Sequence, residues 1–271
     1  MDSGTPGPIA AGRDCWQRTR SVIAQSPPEA TVAVAARDRD SGATLEHCAQ
    51  RSFPAASTVK LLILAAVDRS VRRGERTLTD LIEVRQDQKV AGSGVLNWLR
   101  SDLRLSVRDL SWLMIAISDN TASNLLMDEV GLDAIADIQT SLNLQGTKLA
   151  RHFMKPVPGG PQNLVTAADL VTVLDAIQED AESDPESAWM MELLADQQIR
   201  DRLARHLPEC VSFAGKSGWQ TGISHDSGLL RGPHRAVTVA VLTEGFGDAH
   251  EAAAYIGAIG RAIVEDTGIA S

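Results

Sequence analysis

The chain has 271 residues, 44% of them hydrophobic but only 4% aromatic, so one sizeable core must be packed mainly by Leu, Val, Ile and Ala. Its formal charge is −9 with acids and bases intermixed, which argues against nucleic acid or an anionic membrane as partner, since both select for clustered Lys and Arg. No apolar run is long enough to span a bilayer, and three scattered cysteines (Cys15, Cys48, Cys210) suggest reduced thiols in a cytoplasmic protein.

In chain order, residues 1–12 read as a disordered Gly/Pro tip with neither the basic flank nor the apolar stretch of a secretory signal. Residues 13–25 form an amphipathic helix with Trp16, Val22 and Ile23 on its apolar side, stopped by Pro27 and Pro28. A β-rich run at 31–36, turn composition at 38–42 and a second run at 43–48 predict a hairpin. Residues 58–71 contain an unbroken apolar run from Leu61 to Val67 and read as a helix buried on most sides. Further helices are expected at 107–117, 121–129, 167–179 and 187–203. Between Gln145 and Val165 lies a long Pro/Gly-rich loop, a length usually reserved for function. Strands return at 212–215, 227–230 and 236–242, and a helix at 250–265 closes the chain. Strands at both ends with helices between give an α+β pattern whose sheet is assembled from both termini.

Three short motifs carry candidate chemistry. Ser57-Thr58-Val59-Lys60 at a helix start puts a hydroxyl and an ammonium one turn apart on one face, with backbone N–H groups aimed at charge developing near Ser57. Burial of Lys60 would lower its pKa and let it act as a base. Ser118-Asp119-Asn120 lies between two helices. There Ser118 could relay a proton and Asn120 could hold a carbonyl or orient a lysine, although such a turn can equally be a helix cap. Lys216-Ser217-Gly218 sits at the end of a strand or within a longer edge strand. Lys216 would attract an anion, Ser217 would bond a carboxylate, and Gly218 would let a ligand approach the backbone; the same residues also suit a plain polar turn.

Taken in order, Ser-x-x-Lys, Ser-Asp-Asn and Lys-(Thr/Ser)-Gly resemble the signature of class A β-lactamases and penicillin-binding proteins. The likeness runs from Thr31 nearly to the C-terminus and extends to Phe53-Pro54-Ala55-Ala56, Leu113-Met114-Ile115, Asn124-Leu125-Leu126 and His225-Asp226-Ser227-Gly228. The resemblance implies a β-lactamase/transpeptidase-like fold, an antiparallel sheet beside an all-helical lobe. Residues 13–271 would form one catalytic domain, with a helical lobe at about 57–205 and an α/β lobe from 13–56 and 206–271. It further implies Ser57 as acylated nucleophile, Lys60 as its activator, Ser118 as proton shuttle and Asn120 as the contact to the substrate amide. Lys216 and Ser217 would hold the substrate's carboxylate side, and the backbone N–H groups of Ser57 and Trp219 would form the oxyanion hole.

The pattern also departs from that family. Where efficient class A enzymes carry the Glu that activates water, ungapped counting places Phe153, and no Asp or Glu occurs between Gln145 and Ala168. An acyl-Ser57 should therefore form faster than it hydrolyses. His152 is the nearby group that could deputise, and His225 stands near where an arginine for a β-lactam carboxylate is expected. The expected activity is a serine hydrolase or acyltransferase acting on a small amide, ester or β-lactam, with weak β-lactam turnover and no cofactor or metal. The alternatives are a true β-lactamase with a substitute base, and a non-catalytic penicillin-binding sensor.

Overall fold

A computed structural model of the chain describes residues 15–156 and 158–271, so the expected N-terminal tip and the first two residues of the first expected helix lie outside the described part. The chain opens with helix α1 (Gln17–Ile23), the hairpin β1 (Thr31–Asp38) and β2 (Thr44–His47), and a two-residue strand β3 (Phe53–Pro54). Then come α2 (Lys60–Arg72), the short pair β4 (Leu81–Val84) and β5 (Leu103–Ser106), and helices α3 (Val107–Ala116), α4 (Asn120–Val130) and α5 (Leu132–Ser141). Strand β6 (Leu164–Val165) precedes α6 (Ala167–Ser183) and α7 (Trp189–Ala195). Strands β7 (Ser212–Gln220), β8 (Ile223–Arg231) and β9 (Ala236–Glu244) and helix α8 (Ala249–Thr267) complete the α+β fold.

The main sheet is antiparallel in the order β2-β1-β9-β8-β7, so both chain ends meet where β1 pairs with β9. Strand alternation sorts its side chains into two layers. Val32, Val34 and Ala36 of β1 pack with Ile256, Ile259 and Ile263 of α8 and with Trp16 beside α1. Ala33 and Ala35 face the other way, with Ala240 and Leu242 of β9, into the core formed by α2–α7. Helix α2 runs through that core with Lys60 to Leu64, Ala66, Val67 and Asp68 all buried. Its one buried acid, Asp68, is bonded by Arg72, Ser187 and Trp189.

The structure corrects the helix expected at 187–203. Helix α7 ends at Ala195, because the next turn is spent bridging elements. There the Gln197 side chain donates to the carbonyls of Ile115 (3.0 Å) and Gly215 (3.4 Å), and the Gln198 N–H donates to Ala116. Ile199 continues the apolar rhythm on a segment that is not helical, and Leu203 opens a separate short 3₁₀ turn, Leu203–His206. The long loop is also less free than its composition suggests: β6 pairs with β3, and Lys148 bridges Leu164.

Candidate active site

Ser57 lies just ahead of α2 rather than inside it. Residues 57–59 form a tight turn with i→i+3 bonds, Lys60 N–H to Ser57 O (3.2 Å) and Leu61 N–H to Thr58 O (3.3 Å), which keeps side chains three apart nearly eclipsed. The residue before it, Ala56, has φ +45°, a left-handed conformation that costs a non-glycine residue roughly 1–3 kcal/mol and turns the chain sharply at Ser57. Thr58 Oγ1 fastens the turn to the Ala55 carbonyl (2.8 Å). Ser57 is half-buried on the wall of a cleft of about 470 Å³.

Lys60, the first residue of α2, is fully buried. Its Nζ bonds Ser118 O (2.7 Å), Ser118 Oγ (3.1 Å) and Asn120 Oδ1 (2.9 Å), all of them neutral acceptors. Ser118 can offer both its carbonyl and its hydroxyl because it too is left-handed, at φ +61°. Burial, followed by the nearby charge of Lys216, holds the Lys60 ammonium well below the usual lysine range, against a smaller opposing pull from Asp119. A deprotonated Lys60 has a lone pair for the Ser118 hydroxyl proton, which links the two side chains as a proton relay.

Asp119 builds the rim of the cleft. Its Oδ1 caps α4 by accepting the Ala122 N–H, and its Oδ2 accepts from Val95 (2.7 Å) and Leu96 (2.9 Å). Asn120 Nδ2 donates to Ala91 O (3.2 Å) and its N–H to Ser93 O (3.0 Å). The second motif is thus a helix cap and a wall of the cleft at once.

Lys216, Ser217 and Gly218 lie within β7, an edge strand that runs on to Gln220. Gly218 presses on the serine turn: a Cβ there would lie 3.0 Å from Ser57 N and 3.1 Å from both Ala56 Cβ and Thr58 Cγ2. Lys216 is buried, donates to Ser217 O (2.8 Å), and is pushed down to about 7 by burial, with Asp226 pulling it back up and Arg202 adding to the fall. Trp219 follows Gly218, is 58% exposed and lines the cleft.

Two residues flagged in the sequence lie apart from this cluster. His152 faces Asp128 of α4 (Nε2 to Oδ1, 2.7 Å), away from the residues lining the cleft. His225 is buried beneath it, opposite Gly218 in the β7–β8 register, its ring edge-on to Phe53. Its Nε2 lies 3.0 Å from Pro54 O, and its Nδ1 lies 2.8 Å from Ser224 O and 3.1 Å from the Thr243 N; burial lowers its pKa to about 4. His225 therefore pins the strand leading into Ser57. Phe153 is buried, with its ring centroid 4.6 Å from Lys60 Nζ and its backbone clamped at both N–H and C=O by the Asn124 amide.

The sequence reading missed Arg202. It is buried, donates from Nε to Ser224 Oγ (2.9 Å), and carries its charge close to Lys216 and Asp226. Asp226, which accepts the Leu203 N–H (3.0 Å), is raised to about 7 by burial, with Arg202 and Lys216 opposing. Nothing local flags Arg202, because it precedes the third motif and reaches it only across β8. Arg231, the arginine that follows the motif, instead points to Glu182 (3.7 Å).

A serine turn, a buried lysine, a Ser-Asp-Asn cap and a Lys-Ser-Gly edge strand on this α+β frame define a β-lactamase/transpeptidase-like serine hydrolase. More narrowly, the chain belongs to the Beta-lactamase enzyme family, which matches residues 15–267. A β-lactamase of Streptomyces lavendulae is 30% identical over 226 residues, covering 79% of this chain and 73% of that protein. The crystal structure of a β-lactamase from Sphaerobacter thermophilus DSM 20745 superposes with a TM-score of 0.90 at 38% identity, covering 94% of this chain and 99% of that one. The structure of PBP-A matches at a TM-score of 0.85 and 23% identity, over 94% and 96% of the two chains, a likeness of fold alone. Among the described residues no helix is long and apolar enough to cross a membrane.

Proposed function

We propose that the protein forms an acyl ester at Ser57 from a small amide or ester, β-lactams included, and that it releases this ester slowly. The supporting observation is Lys60: buried, driven toward its neutral form, and hydrogen-bonded among the described residues to Ser118 and Asn120 alone. In this reading the Ser57 hydroxyl gives its proton to Lys60 as Oγ bonds the substrate carbonyl carbon. The carbonyl oxygen carries the charge in front of the N–H groups of Ser57 and Trp219. As the C–N or C–O bond breaks, the proton passes from Lys60 through Ser118 to the departing atom. Asn120 contacts the acyl amide, and Lys216 with Ser217 takes a carboxylate on the departing side.

Slow release follows from what surrounds the ester. The described residues lining the cleft include no Asp or Glu, and Phe153 covers Lys60 on the side of the long loop. A water or other acceptor attacking the ester would have no carboxylate base there. Intact-protein mass spectrometry with benzylpenicillin tests both halves. One adduct per chain, outlasting many-fold the time taken to form it, is expected, with none on Ser57→Ala. Rapid loss of the adduct with continuous drug consumption would refute slow release, and equal labelling of Ser57→Ala would refute the nucleophile.

A further inference from the structure

Strand β7 lays the substrate out in chain order. In the acyl-Ser57 reading Lys216 and Ser217 take a carboxylate on the departing side, Gly218 touches the serine turn, and the Trp219 N–H faces the reacting carbonyl. What lies further along the strand therefore serves the acyl portion. The cleft of about 470 Å³ is on that side: Asn120, Trp219, Gln220 and Thr221 line it, and neither Lys216 nor Ser217 does. The long loop supplies another of its walls, with Arg151 and Phe153.

Among the described residues lining this cleft, Arg151 alone is ionisable. Its backbone is fixed by one side chain. Asn163 Oδ1 accepts the Ala150 (2.8 Å) and Arg151 (3.0 Å) N–H groups, and Asn163 Nδ2 donates to Arg151 O (3.0 Å). The guanidinium is far less engaged. Of its five N–H donors, one on Nη1 reaches a protein acceptor, the His152 carbonyl at 3.4 Å, and no carboxylate among the described residues pairs with its charge. Asp128 of α4 is taken by His152 instead (2.7 Å). Arg151 is half-buried, so this cation gives up part of its hydration with no counter-charge in return.

The loop around it has the same sign. The whole chain carries −9, yet residues 146–167 hold Lys148, Arg151 and Lys155 and neither Asp nor Glu. A positive loop beside an acid-free cleft attracts anions, and a guanidinium with spare donors can grip a carboxylate through two of them. The acyl-transfer steps leave Arg151 unused.

We propose that Arg151 makes the acyl side of the cleft an anion subsite, so that the favoured substrates carry a carboxylate on the acyl group itself, in addition to the one taken by Lys216 and Ser217. The proposal rests on the acyl-Ser57 reading and names the substrate class: amides or esters of dicarboxylic acids.

Two pairs of penicillins place the added carboxylate at different reaches from the reacting carbonyl. Carbenicillin is compared with benzylpenicillin, and an adipoyl penicillin with its terminal amide. The readout is the rate of ester formation at low drug concentration, by intact mass. In at least one pair the dianion should react about three- to tenfold faster, Arg151→Gln should bring that ratio to about one, and Arg151→Glu should invert it. Arg151→Lys, which keeps the charge without the fork, should retain part of the preference. Both members of a pair meet the same variant, so a general loss of rate cancels in the ratio. No preference in either pair, or a preference that survives Arg151→Gln, overturns the proposal. If no drug acylates the protein, the acyl-Ser57 reading is what fails. The subsite is then read separately, by titrating adipate and adipamide while following the Gly92 backbone and Asn163 side-chain amide resonances. Saturable shifts with adipate alone, lost in Arg151→Gln, support the subsite; their absence, or equal shifts with adipamide, overturns it.

Discussion

Replacing Gly218 by Ala asks whether the edge strand and the serine turn must touch. The added methyl would sit 3.0 Å from Ser57 N and 3.1 Å from Ala56 Cβ and Thr58 Cγ2. Comfortable carbon contacts begin near about 3.5 Å, so roughly 0.5 Å of separation must be found. The turn has little to give, since Ala56 is already left-handed and Thr58 Oγ1 is bonded to Ala55 O. Overpacking of this kind costs about 1–3 kcal/mol, or about 2–4 °C of melting temperature per kcal/mol for a domain of this size. A displacement of 1 Å at a reacting group costs about 100-fold in rate, so half that distance costs about tenfold. Benzylpenicillin ester formation on Gly218→Ala should therefore fall about tenfold by intact mass, with a melting point about 2–12 °C lower by calorimetry. Wild-type acylation at an unchanged melting point would show that the strand does not set the position of Ser57.

The pH profile should have two limbs of different origin. With Lys60 as the proposed base, acylation should fall as pH drops through that residue's lowered pKa, whatever the substrate. Lys216 loses its charge as pH rises through about 7, so only substrates with a carboxylate should weaken above that value, as a penicillin and an uncharged activated ester compared from pH 5 to 9 would reveal. Phe153→Glu puts a carboxylate where an aromatic ring now lies 4.6 Å from Lys60 Nζ. It should raise the Lys60 pKa, move the acid limb upward, and shorten the ester's lifetime about 10- to 100-fold in a mass-spectrometric chase. His152→Ala should leave that lifetime within about twofold, because the ring is held on Asp128 outside the cleft; a collapse of release in the same chase would make His152 the missing base.

Local pattern carried the fold where burial imposes a clear period. Strand β1, with Val and Ala alternating between two layers, and the unbroken apolar run of α2 are both legible from sequence. Pattern misled where the apolar rhythm runs on past a helix end, as at Ile199, which is in no helix, and at Leu203, which opens a separate 3₁₀ turn beyond α7. It was silent on α5 and on the β4–β5 pair, whose Leu81 is largely exposed and gives little core signal. The three motifs announced themselves because their chemistry lies in adjacent residues. The Gly218–Ser57 contact, the Asn124 clamp on Phe153 and the approach of Arg202 to the Lys216 region join residues far apart in the chain, and only the assembled sheet and loop bring them together.

The most direct test is to locate the ester. After brief treatment with benzylpenicillin and acid quenching, tandem mass spectrometry of the proteolytic digest should find a single penicilloyl group, on the Ser57 oxygen, lost when Lys60 is replaced by Met. A modification on another residue, or drug consumed with Ser57 never modified at any time point, would contradict the account.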